Sequence, residues 1–159
     1  IICRDMSGKI SAYDPSENIH KNGILIESKV PANISFSTGS DAIIIASKIV
    51  RNLNYVGVMG IEFFITKAKK ILVNEMAPRV HNSGHWTQTG CIISQFEQHI
   101  RAITGTPIGD GRRHSNVRMK NILGNQIFDI NYDSGKSINI YGKDKVKNNR
   151  KMGHVNIIK

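Results

Sequence analysis

The sequence predicts an α+β fold of mainly antiparallel strands, two helices and a small β-rich C-terminal piece. Three observations lead there. Short runs of alternating or apolar residues are separated by Gly-, Asn- and Asp-rich turns. Two longer stretches carry apolar residues at helical spacing. No transmembrane-length apolar run interrupts them.

Taken in order, residues 1–13 read as two short strands around a Ser-Gly turn, and DPSENIHKNG as turn-rich. Gly23 opens the strand ILIESKV, and Pro31 to Ser40 reads as a loop of small polar residues. From Ser40 to Asn54, Ala42, Ile43, Ala46, Ile49, Val50 and Leu53 follow helical spacing, with Ser40 or Asp41 as cap. VGVMGIEFFIT and ILVNEMA follow as two strands joined by the polar turn KAKK. Ile92, Ile93, Phe96, Ile100 and Ile103 mark a second helix, stopped near Gly105 and Pro107. GDGRRHS reads as a linker, dividing the chain into residues 1–108 and 109–159. The second part holds three short strands: VRMKNILG, SINIYGK and MGHVNII.

Composition sets bounds. A hydrophobic content of 40% suffices for a packed core and is unlike disordered sequence. Cys3 and Cys91 lie in no CxxC or Cys/His cluster, which argues against a disulfide framework or zinc site and for a reducing compartment. The formal charge of +10 would suit an anionic partner. The Lys and Arg are dispersed, however, and cluster only in KDKVKNNRK, without interleaved aromatics. That pattern gives no stacking platform for nucleic acid. The N-terminus has no signal-peptide pattern and reads as a sequence entered mid-strand.

The hairpin is the most informative element. If Lys67 to Lys70 form a four-residue turn, opposed residues have numbers summing to 137. Ile65 then faces Leu72, Phe63 faces Asn74, and Glu62 faces Glu75. Alternation puts Ile61, Phe63, Ile65, Leu72 and Met76 on a core side, with Glu62 and Glu75 on the other beside Phe64 and Val73. Like charges directly opposed repel. Either this face is solvated near lysines, or the carboxylates hold a divalent cation. Magnesium takes one or two carboxylates and completes its shell with water and phosphate oxygens, so this spacing predicts a nucleotide-phosphate site.

NEMAPRVHNSGHWT begins at this second carboxylate. After Pro78, Arg79, His81, Asn82, Ser83 and His85 crowd into seven residues. Arg and His favour an anion, and Asn and Ser can orient a small planar oxyanion. A metal–phosphate site beside an anion loop suggests activation of an acid by phosphorylation. Each residue alone has a structural reading: hydrogen-bonded histidines, and Trp86 as a packing anchor.

YVGVMGIEFF, then NEMAPRVHNSGHWT, then SQFEQHIRAITG resemble the carboxyaminoimidazole ribonucleotide synthetases, ATP-grasp ligases of purine synthesis. NIHKNGIL upstream, and YGK with RKMGHV downstream, extend the resemblance over nearly the whole chain. It implies the second half of an ATP-grasp domain (1–108) followed by an incomplete β-rich C-terminal domain (109–159). It implies a cytoplasmic, homodimeric enzyme using ATP with magnesium, or manganese in its place, to convert bicarbonate into carboxyphosphate. The amine of 5-aminoimidazole ribonucleotide then takes the carboxyl group, releasing phosphate. By position, Glu62 and Glu75 match the magnesium ligands. His20 matches a nucleotide contact, and Asn74 a residue beside the phosphates. Arg79 and His81 match positions near bicarbonate or carboxyphosphate, with Asn82 and Ser83 close by. Lys143 and Arg150 match the pair holding the ribonucleotide's phosphate.

The chain also departs from the family. The resemblance implies a C-terminal piece without the glycine-rich phosphate loop and its lysines, inactive without the missing N-terminal half. Where the family has Arg-Pro-Gly-Arg, this chain has Lys147-Asn148-Asn149-Arg150, which is expected to soften the turn before Arg150. Another ATP-grasp carboxylase or ligase, an inactive remnant and a basic nucleic-acid-binding module are the alternatives.

Overall fold

The computed structural model describes residues 1–132 and 135–159. Among these described residues there are two antiparallel sheets and three α-helices. The first sheet has the order β2-β1-β5-β6, from Ile10–Ala12, Ile2–Arg4, Gly57–Ile65 and Ile71–Ala77. The second has the order β3-β4-β7-β9-β8, from Glu17–Lys21, Ile24–Val30, Val117–Leu123, Lys151–Ile158 and Lys136–Ile140. This second sheet joins strands from both sides of residue 108. The α+β expectation holds.

Three local expectations need correction. The turn-rich DPSENIHKNG contains β3, which pairs with β4 through the two-residue loop Asn22-Gly23. Both loop residues have positive φ, 51° and 75°, the geometry that Asn-Gly favours between twisted strands. Helix α1 runs from Phe36 to Asn52, not from Ser40, because Ser35 caps it by accepting from the Thr38 N–H at 3.1 Å. The third concerns α3, Gln95–Thr104, capped by Ser94 and ended by left-handed Gly105. Its apolar stripe faces outward: Ile100 is 56% exposed, and Ile92, Phe96 and Ile103 are exposed as well. The buried face carries Gln95, Gln98 and Ala102. Gln95 and Gln98 bond to neighbouring backbone, and so does the part-buried His99, which accepts from the Val58 N–H. This face therefore docks largely on main chain, with Ala102 as its apolar contact.

The core has three parts. Tyr13, Leu25, Trp86, Val117 and Met119 cluster with Cys91 between the second sheet and the short helix α2, Thr87–Gly90. Trp86 is the expected packing anchor, 1% exposed. Ala46 and Val50 of α1 pack on Ile2 and Met59 of the first sheet. Cys3, Val58, Ala102 and Ile108 join α3 to that sheet's other side. Both cysteines are free and buried, and burial pushes both thiols up to about 12.

Candidate active site

The β5–β6 hairpin builds the carboxylate pair by a route the turn rule did not anticipate. The loop is Lys67–Lys69, closed by the Thr66 N–H donating to the Lys70 carbonyl at 3.0 Å, with Lys69 left-handed at φ 58°. This three-residue loop shifts the nearby register by one: Ile65 pairs with Ile71, Phe64 with Leu72 and Phe63 with Val73. A bulge between Glu62 and Phe63 then restores the other register, and Glu62 faces Glu75 as expected. Asn74 is the extra residue. The predicted core side is only partly a core. Ile61 and Phe63 pack on the α1 cluster, but Ile65, Leu72 and Met76 are exposed. The hairpin runs on past the residues of β5 that β1 pairs, Gly57–Met59, and β6 is an edge strand.

His81 stands across both carboxylates. Its Nδ1 lies 3.9 Å from Glu62 Oε1 and its Nε2 lies 3.8 Å from Glu75 Oε1. Nδ1 also shares a 2.8 Å hydrogen bond with Ser83 Oγ. The Glu62 and His81 side chains are each 12% exposed, whereas Glu75 is 56% exposed. Burial pushes the His81 pKa below its ordinary value, against the pull of Glu62. The imidazole therefore stays neutral near pH 7. Gly60 makes room for it: a methyl there would lie 2.5 Å from His81 Cβ.

Glu62, Asn74, Glu75, Ser83 and His20 line one cavity of about 570 Å³ between the two sheets. Residues 74 and 75 both reach it although they are adjacent in one strand. Regular alternation would send them to opposite faces, and the bulge permits both. Two opposed carboxylates on the wall of an open cavity are a donor set that suits magnesium, which leaves most of its shell to water and phosphate.

The other expected residues are held by hydrogen bonds of their own. Arg79 is exposed, and its Nη1 donates to the Val80 carbonyl at 2.9 Å. Asn82 and Asn121 exchange amide hydrogen bonds at 2.9 and 2.6 Å, which ties the loop to β7. Lys143 Nζ donates to the Lys151 carbonyl at 2.6 Å, and Arg150 Nη1 to the Lys145 carbonyl at 3.0 Å. The turn before Arg150 forms without the Pro-Gly pair. Asn149 takes the left-handed φ of 62° that glycine would take, and the Arg150 N–H closes the turn on the Lys147 carbonyl at 3.1 Å.

Sequence reasoning missed Lys151, although RKMGHV contains it. Burial lowers its ammonium pKa, and Glu62 and Glu75 oppose that shift, so β9 brings a cation to the carboxylate pair. It also missed the ring cluster behind the loop. His85 stacks at 4.8 Å on His154 and 5.2 Å on Phe96, and Tyr141 Oη shares a 2.8 Å bond with His154 Nδ1. Burial pushes His85 down to about 3 and His154 down to about 4. His85 is thus a neutral ring packed among other rings near pH 7. Only the packing of β9 against this loop and α2, invisible in local spacing, brings residue 154 to residue 85.

Comparison with known proteins agrees with this geometry. The profile of the ATP-grasp domain matches residues 1–96, and that of the phosphoribosylaminoimidazole carboxylase C-terminal domain matches residues 118–159. N5-carboxyaminoimidazole ribonucleotide synthase of Brucella melitensis is 48% identical over the whole chain, and that of Bacillus subtilis 42%. The chain spans 45% and 43% of the length of these two relatives. An N5-carboxyaminoimidazole ribonucleotide synthetase solved with ADP superposes with a TM-score of 0.95 at 43% identity, over 99% of this chain and 43% of that one. The Aspergillus clavatus enzyme, solved with ADP and 5-aminoimidazole ribonucleotide, superposes at 0.93 and 31% identity, over 99% of this chain and 45% of that one. With a match from residue 1 to residue 96 of 159 and a site built on the hairpin that match contains, the chain belongs to the ATP-grasp family.

Proposed function

We propose that this chain supplies the metal and anion half of an ATP-dependent carboxylase acting on 5-aminoimidazole ribonucleotide. The observation that carries the reading is the Glu62–Glu75 pair, bridged by His81 at 3.9 and 3.8 Å on a cavity wall. In this reading Glu62 and Glu75 hold magnesium, which offsets phosphate charge when bound. Asn74 and His20 meet the nucleotide. Arg79, Ser83 and neutral His81 receive bicarbonate, and Asn82 holds the loop that carries them. Bicarbonate oxygen takes the γ-phosphoryl group of ATP and ADP leaves. The ribonucleotide amine then forms a C–N bond to the carboxyl carbon as phosphate departs, and the amine gives up a proton. In this reading neutral His81 takes that proton. Lys143 and Arg150 hold the ribonucleotide's phosphate.

Relatives more than twice as long, and one of them solved with both nucleotide and ribonucleotide, support this assignment. Cytoplasmic location and a homodimer belong to the same proposal. So does the division at residue 108, supported by family matches on its two sides. The second sheet nonetheless spans it.

The test is ADP release in magnesium and bicarbonate, with and without 5-aminoimidazole ribonucleotide. It is run on this chain alone and on the chain mixed with the N-terminal half of a relative. Ribonucleotide-stimulated turnover in the mixture is expected. A folded mixture that binds neither ATP nor ribonucleotide would overturn the reading.

A further inference from the structure

Gln95 opens α3 and its side chain is fully buried. Its Oε1 accepts from the His81 backbone N–H at 3.0 Å, and its Nε2 donates to the His81 carbonyl at 2.7 Å. A backbone N–H only donates and a carbonyl only accepts, so these two hydrogen bonds to one residue settle which end of the amide is which. The same Nε2 lies 2.9 Å from His85 Nδ1. An amide nitrogen has only hydrogens to offer. His85 Nδ1 is therefore an acceptor, and the neutral ring carries its proton on Nε2.

The surroundings hold this clamp in place. The Gln95 backbone N–H donates to Thr87 Oγ1 at 3.0 Å, and that hydroxyl donates to the Gly84 carbonyl at 2.7 Å. A methyl at Gly84 would lie 2.5 Å from Gln95 Oε1, so the loop can approach only as glycine. Gly60 bounds His81 from the opposite side.

We infer that Gln95 is a positioning residue: it fixes the backbone of His81 so that the ring spans Glu62 and Glu75, and it sets the His85 tautomer. The inference rests on the functional reading only for its effect on turnover. Gln98 provides an internal control. It makes the same pair of bonds to Gly109, at 2.9 and 3.1 Å, and does not touch His81.

Two measurements test this. The first needs no variant: long-range proton–nitrogen NMR of the imidazoles in this chain. His85 should show an unprotonated Nδ1 and a protonated Nε2. A protonated Nδ1 overturns the clamp, whatever the chain's activity. The second compares Gln95→Met with Gln98→Met in the chain assembled with the complementary half. Gln95→Met should lower kcat at least tenfold, with KM for magnesium–ATP within twofold. Gln98→Met, compared at equal folded fraction, should stay within twofold in both. Equal losses in the two variants would make Gln95 merely structural and overturn the inference. Should Gln95→Met not fold, Gln95→Glu keeps an oxygen for the His81 N–H and removes the amide donor to His85. The His85 Nδ1 signal must then shift, and an unchanged signal overturns the inference.

Discussion

Acid should unfold this chain through two histidines. His154 is 2% exposed and its Nε2 has no partner among the described residues, while Nδ1 is shared with Tyr141. His85 is enclosed by Phe96, His154 and Tyr141, with His81 and Lys151 adding positive potential. Burial is the largest cause in both, holding His154 at about 4 and His85 at about 3 against an ordinary 6.5. With the folded pKa depressed, the unfolded chain takes the protons first. Stability is whole above pH 6.5 and falls as pH drops through it, until the folded rings themselves charge. From pH 7 to pH 5 each ring costs about 2 kcal/mol, together about 4 kcal/mol of the ~5–15 a domain usually has. His81, also depressed, acts in the same direction. Asp5 and Asp110 are held below the usual carboxylate range, so their loss comes at lower pH, outside this window. Urea unfolding at pH 7, 6 and 5 and constant ionic strength measures the difference. His154→Phe keeps a ring and removes one titration. Its absolute stability will change with the lost Tyr141 bond, but its pH 7 to 5 difference should fall by about half. A wild-type difference below about 1 kcal/mol, or an undiminished difference in His154→Phe, would refute the reasoning.

Other substitutions probe the site and its scaffold. Glu75→Gln, at a 56% exposed side chain, should abolish magnesium-dependent turnover of the assembled enzyme while leaving the unfolding midpoint in place. Normal turnover would remove Glu75 from the metal. Lys143→Ala should raise KM for the ribonucleotide at least tenfold with kcat little changed, and an unchanged KM would put the phosphate elsewhere. Gly60→Ala puts a methyl 2.5 Å from His81 Cβ, so it should displace the ring and lower both stability and turnover. Gly23→Ala meets no atom within 4 Å but holds a φ of 75°, so it should cost about 1 kcal/mol in denaturant without altering turnover.

What was legible in the sequence is what local spacing encodes. The β1 and β2 strands and the NEMA strand follow from alternation, whereas the opposition of the acids was reached through a turn count that was off by one residue. The boundary of α1 was misplaced because Ser35 lies in a run of small polar residues, and its cap is defined by a bond to Thr38 that spacing does not show. Residues of α3 gave a clear apolar stripe, and its existence and its end near Gly105 were read correctly, but Ile92 and Ile93 lie ahead of its first residue, Gln95. Its facing was misread. Gln95, Gln98, His99 and Ala102 also repeat at helical spacing, and they are the side that docks. Periodicity counts apolar residues and cannot register side chains that bury themselves by completing main-chain hydrogen bonds. Lys151 and His154 were out of reach for a different reason: their neighbours at the site lie some 70 to 90 positions away in sequence.

The carboxylate pair shows how a rule can reach the right residues from a wrong premise. A four-residue turn would have set one register along the whole hairpin. The actual three-residue loop sets the other, and carried unbroken it would place Glu62 opposite Asn74 and Glu75 opposite Ile61. The bulge at Asn74 cancels that offset by one residue. It therefore does two things with a single insertion. It restores Glu62 to Glu75, and it turns the amide at 74 and the carboxylate at 75 toward the same cavity. The repulsion between the acids and the unpaired residue both weaken the ladder locally. A sheet selected for stability alone has no use for either. Their coincidence on one cavity wall, with His81 held over both acids by Gln95, is intelligible if this segment was kept for the ligands it holds.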